Sequence, residues 1–207
     1  MVHMPEPTKE RLLHLMRILE KSEVPAVTSS HIEGLTGWSS YTIRKDIAWL
    51  GGDYGSSNGY APSVLVPAIK SALGLDRDRR FCVVGLGRLG SAYLNLEAEA
   101  WEEFTLIAGF DTNVNRVEIL KSPVPLYPAY KMAEIISRFQ IEMALLCVPE
   151  AAAQAAAEKL VAAGIRGILN FAPLVLTVPS EIPVRNVYVV DALRSLSIQV
   201  KTHIGQS

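Results

Sequence analysis

Apolar residues along the chain follow one rhythm before residue 78 and another after it. In the first stretch they recur at helical spacing: Leu12, Leu13, Leu15, Met16 and Leu19 follow Thr8, a candidate helix cap, after a frayed start over residues 1–7. A turn at Pro25 leads to the capping cluster Thr28-Ser-Ser30 and a short helix over 31–35, which Gly37 breaks. Ser39 and Ser40 then cap a third helix over 41–50, with Ile43, Ile47 and Leu50 on one face. Three short helices with a Gly-containing turn before the third match a helix-turn-helix. The turn-rich stretch 51–60 is suited to a hairpin wing, 64–73 reads as a fourth helix, and 74–79 as a linker. Beyond it, short apolar runs at 81–84, 105–110, 143–148, 165–169 and 184–190 predict strands. They alternate with helical patterns at 89–99, 130–139 and 151–163, so the expected fold is α/β with a mostly parallel, doubly wound sheet. A terminal apolar pattern through Leu193, Leu196, Ile198 and Val200 is left over once the sheet is complete, and a helix of that kind packs on a partner chain.

The chemistry is concentrated where the second rhythm begins. Phe81-Cys-Val-Val84 runs directly into Gly85-Leu-Gly87-Arg-Leu-Gly90 and then into a helical pattern. In a dinucleotide loop Gly85 allows the tight turn, Gly87 lets backbone approach a pyrophosphate, and Gly90 lets helix and strand pack closely. The helix N-terminus offers unpaired N–H groups to the phosphates. The next strand ends in Asp111, placed to hydrogen-bond a ribose 2′-OH, which favours NAD over NADP.

Bulk composition narrows the partners. With 49% hydrophobic and 20% charged residues and a net charge of −1, the 207-residue chain can bury a sizeable core and has no bulk attraction to membrane or nucleic acid. Cys82 and Cys147 lie in expected strands and form neither a disulfide framework nor a metal pattern, which suits a cytoplasmic protein. No signal-like N-terminus and no apolar run of membrane-spanning length, about 18 residues, is found.

Nucleic-acid binding rests on the third helix. Ser39, Ser40, Tyr41, Thr42, Arg44 and Lys45 fall in its first turn and a half, where a recognition helix meets base edges and phosphates. Arg11 on the first helix and Ser56 and Tyr60 in the wing complete the candidate DNA-binding set. Arg44-Lys45-Asp46 is equally readable as a solvated helix face. Residues 1–78 carry eight basic against nine acidic side chains, so affinity for DNA must come from local placement of the bases.

Over nearly its whole length the chain resembles the Rex family of bacterial redox-sensing transcriptional repressors. The resemblance is carried by Arg17-Ile-Leu-Glu20, Ile43-Arg-Lys-Asp-Ile47, Leu73-Gly-Leu75, the Gly85–Gly90 loop, Phe110-Asp111 and Cys147-Val-Pro-Glu-Ala-Ala152. Gly164-Ile-Arg-Gly-Ile-Leu-Asn-Phe-Ala-Pro173, Val178-Pro179 and Asn186-Val187 continue it in the right order. It implies a winged-helix domain over 1–78, a Rossmann NAD(H)-binding domain over 79–190, and a C-terminal segment, 191–207, at a homodimer contact. It further implies a repressor whose hold on a palindromic operator is weakened by NADH. Carried over, Gly85, Leu86, Gly87, Arg88, Leu89 and Gly90 form the pyrophosphate loop and Asp111 holds the adenine ribose. Val148 and Pro149 line the crevice, and Asn170, Phe171, Ala172 and Pro173 close the nicotinamide pocket. Read without the resemblance, Val148 and Pro149 are an ordinary strand end, Asn170 a turn residue bonding its own backbone, and Phe171 a core residue.

Four departures bear on the switch. The wing, Gly55-Ser-Ser-Asn-Gly59, has no basic residue. The family's Asn-Val-Asp is Asn186-Val-Tyr188 here, which deprives Arg17 of its expected acidic partner and leaves Asp191 as the nearest acid. The tyrosine common after the glycine-loop helix is replaced by Leu96, and Asp-x-Asp after the second strand by Asp111-Thr-Asn113. Cofactor binding is expected to survive with an altered or weak switch. Two other classes are open: an NAD-dependent oxidoreductase, and a nucleotide sensor whose helical domain contacts protein. The first lacks a proton-transfer residue beside the nicotinamide, since His3, His14, His31 and His203 all fall outside the expected sheet domain.

Overall fold

The computed structural model describes residues 4–204, with side chains to residue 200. The expected fraying at 1–3 and the last part of the expected dimer segment, 205–207, lie outside the described residues. The chain divides into two compact units, residues 1–77 and 78–207.

The first unit is built from α1 (Glu6–Glu20), α2 (Ser29–Thr36), α3 (Ser40–Ala48), a two-stranded antiparallel hairpin of β1 (Gly55–Ser56) and β2 (Gly59–Tyr60), and α4 (Pro62–Leu73). Their apolar faces close one core through Leu12, Met16, Leu19, Ile32, Ile43, Leu65 and Ile69. Thr8 is not the cap of α1: the helix starts earlier, after Pro5, and Thr8 is buried within it. Its hydroxyl donates to Asp46 Oδ1 at 3.0 Å. Asp46, 4% exposed, lies on α3. Arg11 grips the same carboxylate with Nε to Oδ2 and Nη2 to Oδ1, the latter at 2.8 Å. A fork of this kind fixes orientation as well as distance, so it locks α3 against α1. The caps of α2 and α3 fall where expected: Thr28 accepts from the His31 N–H and Ser39 from the Thr42 N–H. The hairpin is tied back by reciprocal backbone bonds between Val27 and Tyr60 at 2.8 and 2.9 Å.

The second unit is a six-stranded, wholly parallel sheet: β3 (Arg79–Val84), β4 (Phe104–Asp111), β5 (Leu126–Pro128), β6 (Met143–Leu146), β7 (Gly167–Asn170) and β8 (Val184–Asn186), in the order β5-β4-β3-β6-β7-β8. Along β3 the side chains alternate. Cys82 and Val84 join a core with α7 (Met132–Phe139) and α8 (Glu150–Ala162); Phe81 and Val83 join another with α5 (Arg88–Leu94) and α6 (Val114–Ile119). Both faces are covered, as an unbroken apolar strand requires. The order reverses between β3 and β6, and the crevice beyond the strand ends at such a switch point is where ligands of doubly wound sheets bind.

Several expected boundaries are corrected. The helix expected over 89–99 stops at Leu94, where Asn95 Nδ2 bonds the Ser91 carbonyl at 2.7 Å; a short 3-10 turn, Ala98–Trp101, follows. The strand expected over 143–148 ends at Leu146, and that over 165–169 is shifted to Gly167–Asn170. The run 184–190 is a strand only to Asn186, because α9 (Val189–Ile204) already begins inside it. Short apolar runs fit either period. Both α6 and β5 were hidden, the first by its brevity and the second by its flanking prolines, which an edge strand tolerates.

Replacing Arg11 with Ala leaves a buried carboxylate unpaired, and should destabilise the first unit by about 2–4 kcal/mol, toward the low end because the guanidinium is partly solvated. Amide exchange should quicken in α1 and α3 while β3 and α8 are unchanged. Unaltered exchange in α1 and α3 would contradict this role for Arg11.

Candidate functional site

The glycine loop leaves β3 with Gly85 at a positive φ of 91°. A side chain there would also strike the Cys147 carbonyl oxygen at 2.7 Å, so only glycine fits between the ends of β3 and β6. At Gly90 a Cβ would fall 1.9 Å from the Gly85 carbonyl oxygen; α5 therefore packs directly on the turn. Gly87 differs from both. No atom lies within 4 Å of where its Cβ would be, so its side is open for another molecule to approach the backbone. Leu86 is buried, while Arg88 and Leu89 are exposed at the start of α5.

Asp111 ends β4 and is 5% exposed. Its Oδ2 accepts from the Leu86 N–H at 2.7 Å, and its Oδ1 from the Asn113 N–H at 2.8 Å. Arg116 Nη1 adds a charged bond to Oδ2 at 2.9 Å. Burial works to raise the carboxyl's pKa, but the Asn113 and Leu86 amides and the Arg116 guanidinium prevail and hold it below the ordinary carboxylate range. The acid is therefore ionised at neutral pH and clamps the glycine loop to the end of the second parallel strand. The sequence pattern did not single out Arg116, and it marked Asn113 only as a departure at the strand end. The available signal was Asn113 three residues before Arg116, the spacing of a helix cap, and Asn113 Oδ1 does accept from the Arg116 N–H at 3.2 Å.

Across the crevice Val148 is half-buried and Pro149 caps α8 without a side-chain bond. Asn170, fully buried, is consumed by the loop that follows it. Its Nδ2 donates to the carbonyls of Ala172 and Leu174 and to Asn186 Oδ1, and its Oδ1 accepts from the Ala172 N–H. Asn170 thus shapes the turn bearing Phe171, Ala172 and Pro173. Phe171 packs its ring 5.1 Å from that of Tyr93 on α5, and Ala172 is buried, whereas Pro173 is exposed. Cys147, at the rim, is a free thiol pushed up to about 12 by burial, which makes it a poor nucleophile.

In the first unit the structure gathers Tyr41, Arg44 and Lys45 on the exposed side of α3, with Tyr41 69% exposed and Arg44 reaching Ser29 Oγ at 3.1 Å. Asp46 points inward, so the Arg44-Lys45-Asp46 run is not a uniformly solvated face. Other candidates are engaged in the unit itself. Arg11 pairs with Asp46, Ser39 caps α3 with its hydroxyl 2.9 Å from Thr42 Oγ1, and Ser40 donates its N–H and hydroxyl to Glu33. Ser56 Oγ bonds the Gly59 carbonyl at 2.8 Å and closes the hairpin, and Tyr60 is half-buried against the core. Glu33 was not anticipated. Among the described residues no cluster of His, Cys, Asp or Glu could hold a metal, and no helix is long and apolar enough to cross a membrane.

Comparison with known proteins places this geometry among relatives. The family model described as a CoA binding domain matches residues 76–174. A protein of Thermus thermophilus named redox-sensing transcriptional repressor Rex is 38% identical, over 95% of this chain and 93% of its own. The protein of that name from Ligilactobacillus salivarius is 33% identical, over 100% and 98%. Among solved structures, a Rex-family repressor, RSP, in complex with β-NAD+ and operator DNA is 29% identical, with a TM-score of 0.87 over 98% of this chain and 95% of that one. The RSP complex with β-NADH is 28% identical, with a TM-score of 0.85 over 98% and 97%.

Gly87 faces open space and Gly90 faces backbone, so substitution at the two should separate ligand binding from folding. Gly87→Ala should keep the stability of the second unit within about 1 kcal/mol yet weaken dinucleotide binding by about tenfold or more. Gly90→Ala should lose both, since two backbone segments must part. Melting curves and cofactor titrations read the two effects, and equal behaviour of the variants would contradict the assignment.

Proposed function

Since the chain belongs to the Rex family of redox-sensing transcriptional repressors, we propose that it is a DNA-binding repressor of this kind, governed by NADH and NAD. It acts as a cytoplasmic regulator and not as an enzyme. The observation that carries the ligand reading is the Asp111 clamp beside an open Gly87, at the switch point of the sheet. The Gly85–Gly90 loop would receive the pyrophosphate, Asp111 the adenosine ribose, and Val148, Pro149 and the turn organised by Asn170 the nicotinamide end. When bound, the cofactor supplies one chemical difference, the charge and pucker of its nicotinamide, and a ligand shifts a two-state protein only through unequal affinity for the two states.

The DNA reading rests on α3, held by Arg11 and Asp46 with Tyr41, Arg44 and Lys45 outward. Residues 1–77 would act as a winged helix, and a homodimer formed through α9, whose Leu193, Leu196 and Ile198 are exposed, would meet a palindromic operator. The wing contributes no basic side chain, and Tyr188 stands where the family carries an acid, with Asp191 the nearest acid in sequence and in an exposed pair with Arg194 at 2.8 Å. Coupling is therefore at the low end of the usual range: saturating NADH should weaken operator binding by about fivefold, and Tyr188→Asp should enlarge the effect. Fluorescence anisotropy of a labelled operator duplex measures both. Operator affinity indifferent to NADH would contradict the repressor reading, and complete release at low micromolar NADH would contradict the weakened switch.

A further inference from the structure

Beyond the glycine loop, the crevice has two walls carried by different elements. One is Val148-Pro149, which leads into α8; the other is the turn Phe171-Ala-Pro173, which follows β7. From Phe171 to Pro183 the chain crosses to β8 without helix or strand, so no backbone ladder holds the second wall. Asn170 fixes the start of this crossing and Leu176 anchors it in the core. Gln154, on α8, supplies a further tie. Its Nε2 donates to the Thr177 carbonyl at 2.8 Å, and its Oε1 accepts from the Thr177 N–H at 2.9 Å, so the amide pairs with that backbone as a neighbouring strand would. The second Nε2 hydrogen goes to Glu158 Oε1 at 2.9 Å, one turn along the helix. With both hydrogens and the oxygen engaged, the amide has one orientation. Gln154 is also the only residue other than alanine between Glu150 and Glu158.

We propose that Gln154 is a positioning residue for the nicotinamide end of the site: it ties the wall after β7 to the helix that continues the wall after β6, and so sets their separation before a ligand arrives. This rests on the reading of the crevice as an NAD(H) site. Gln154 acts through Thr177 and not by touching the ligand. Without its two bonds the crossing keeps the Asn170 turn and the Leu176 anchor, but apolar packing does not fix orientation. A dinucleotide must then order this segment as it binds, at a cost to affinity. The cost falls on the nicotinamide, because pyrophosphate and adenosine are met by the glycine loop and Asp111, which leave β3 and β4 instead.

The test is calorimetric titration of the full-length protein, wild type and Gln154→Met, with NADH and with ADP-ribose, which carries the adenosine, the pyrophosphate and the second ribose but no nicotinamide. Methionine matches glutamine in length and helix propensity and makes neither bond. In the variant NADH binding should weaken by at least about threefold more than ADP-ribose binding. Amide exchange at Thr177 should quicken while that of β3 and β6 is unchanged. A smaller difference between the two ligands, whether both weaken together or neither moves, overturns the positioning role and leaves the NAD(H) site standing. Unaltered exchange at Thr177 overturns it as well. If the wild-type protein binds neither ligand, the NAD(H) reading falls and the proposal falls with it.

Discussion

The bond from the Leu86 N–H to Asp111 Oδ2 is the constraint on which the glycine loop of the second unit depends. The glycine loop must be tight enough to bring backbone to a phosphate, yet a loop of small residues has little side-chain packing with which to hold its shape. A buried carboxylate solves this by hydrogen-bonding the loop from the neighbouring strand, and charge-assisted bonds of this kind are worth about twice a neutral one. The carboxylate is tolerable in the interior because two amides and a guanidinium satisfy it. Gly90 and Gly85 then let α5 and β6 close on the turn from either side. Asp111 is thus part of the loop's structure before it is part of any ligand site.

The helical half solves a like problem with a like device. A recognition helix must present an outward face while its inward face holds it at a set angle, and apolar packing by Ile43 and Ile47 alone permits sliding. Asp46, gripped by Thr8 and Arg11, supplies directional bonds between α1 and α3. The cost is one cation removed from the surface available to DNA. In a unit with as many acids as bases, that leaves Arg44 and Lys45 as the bases the structure sets on the outer face of α3.

Much of this was legible in the chain. The glycine spacing, the acid after the second strand, the serine caps before the third helix and the alternation of strand and helix all follow from local chemistry, and the sheet, the caps and the three cores agree with them. What was not legible depends on partners distant in sequence. Thr8 looks like a cap until Asp46 is known to lie against it. Arg116 looks like one more exposed base until it is seen to pair with the buried Asp111. Val187 to Val190 satisfy a strand and a helix equally, and only the end of the sheet at β8 decides between them. Arg11 and Ser56 were chosen for their chemistry, but the fold uses that chemistry internally.

In the proposed repressor, one ligand state of the second unit opposes DNA binding by the first. Binding free energies are reciprocal, so a cofactor that weakens operator binding must itself be weakened by the operator to the same degree. Calorimetric titration of NADH into the intact protein, alone and saturated with a palindromic operator duplex, tests this most directly. The NADH dissociation constant should rise with operator present, and that of NAD+ should not. An NADH affinity identical in the two conditions would contradict the claim.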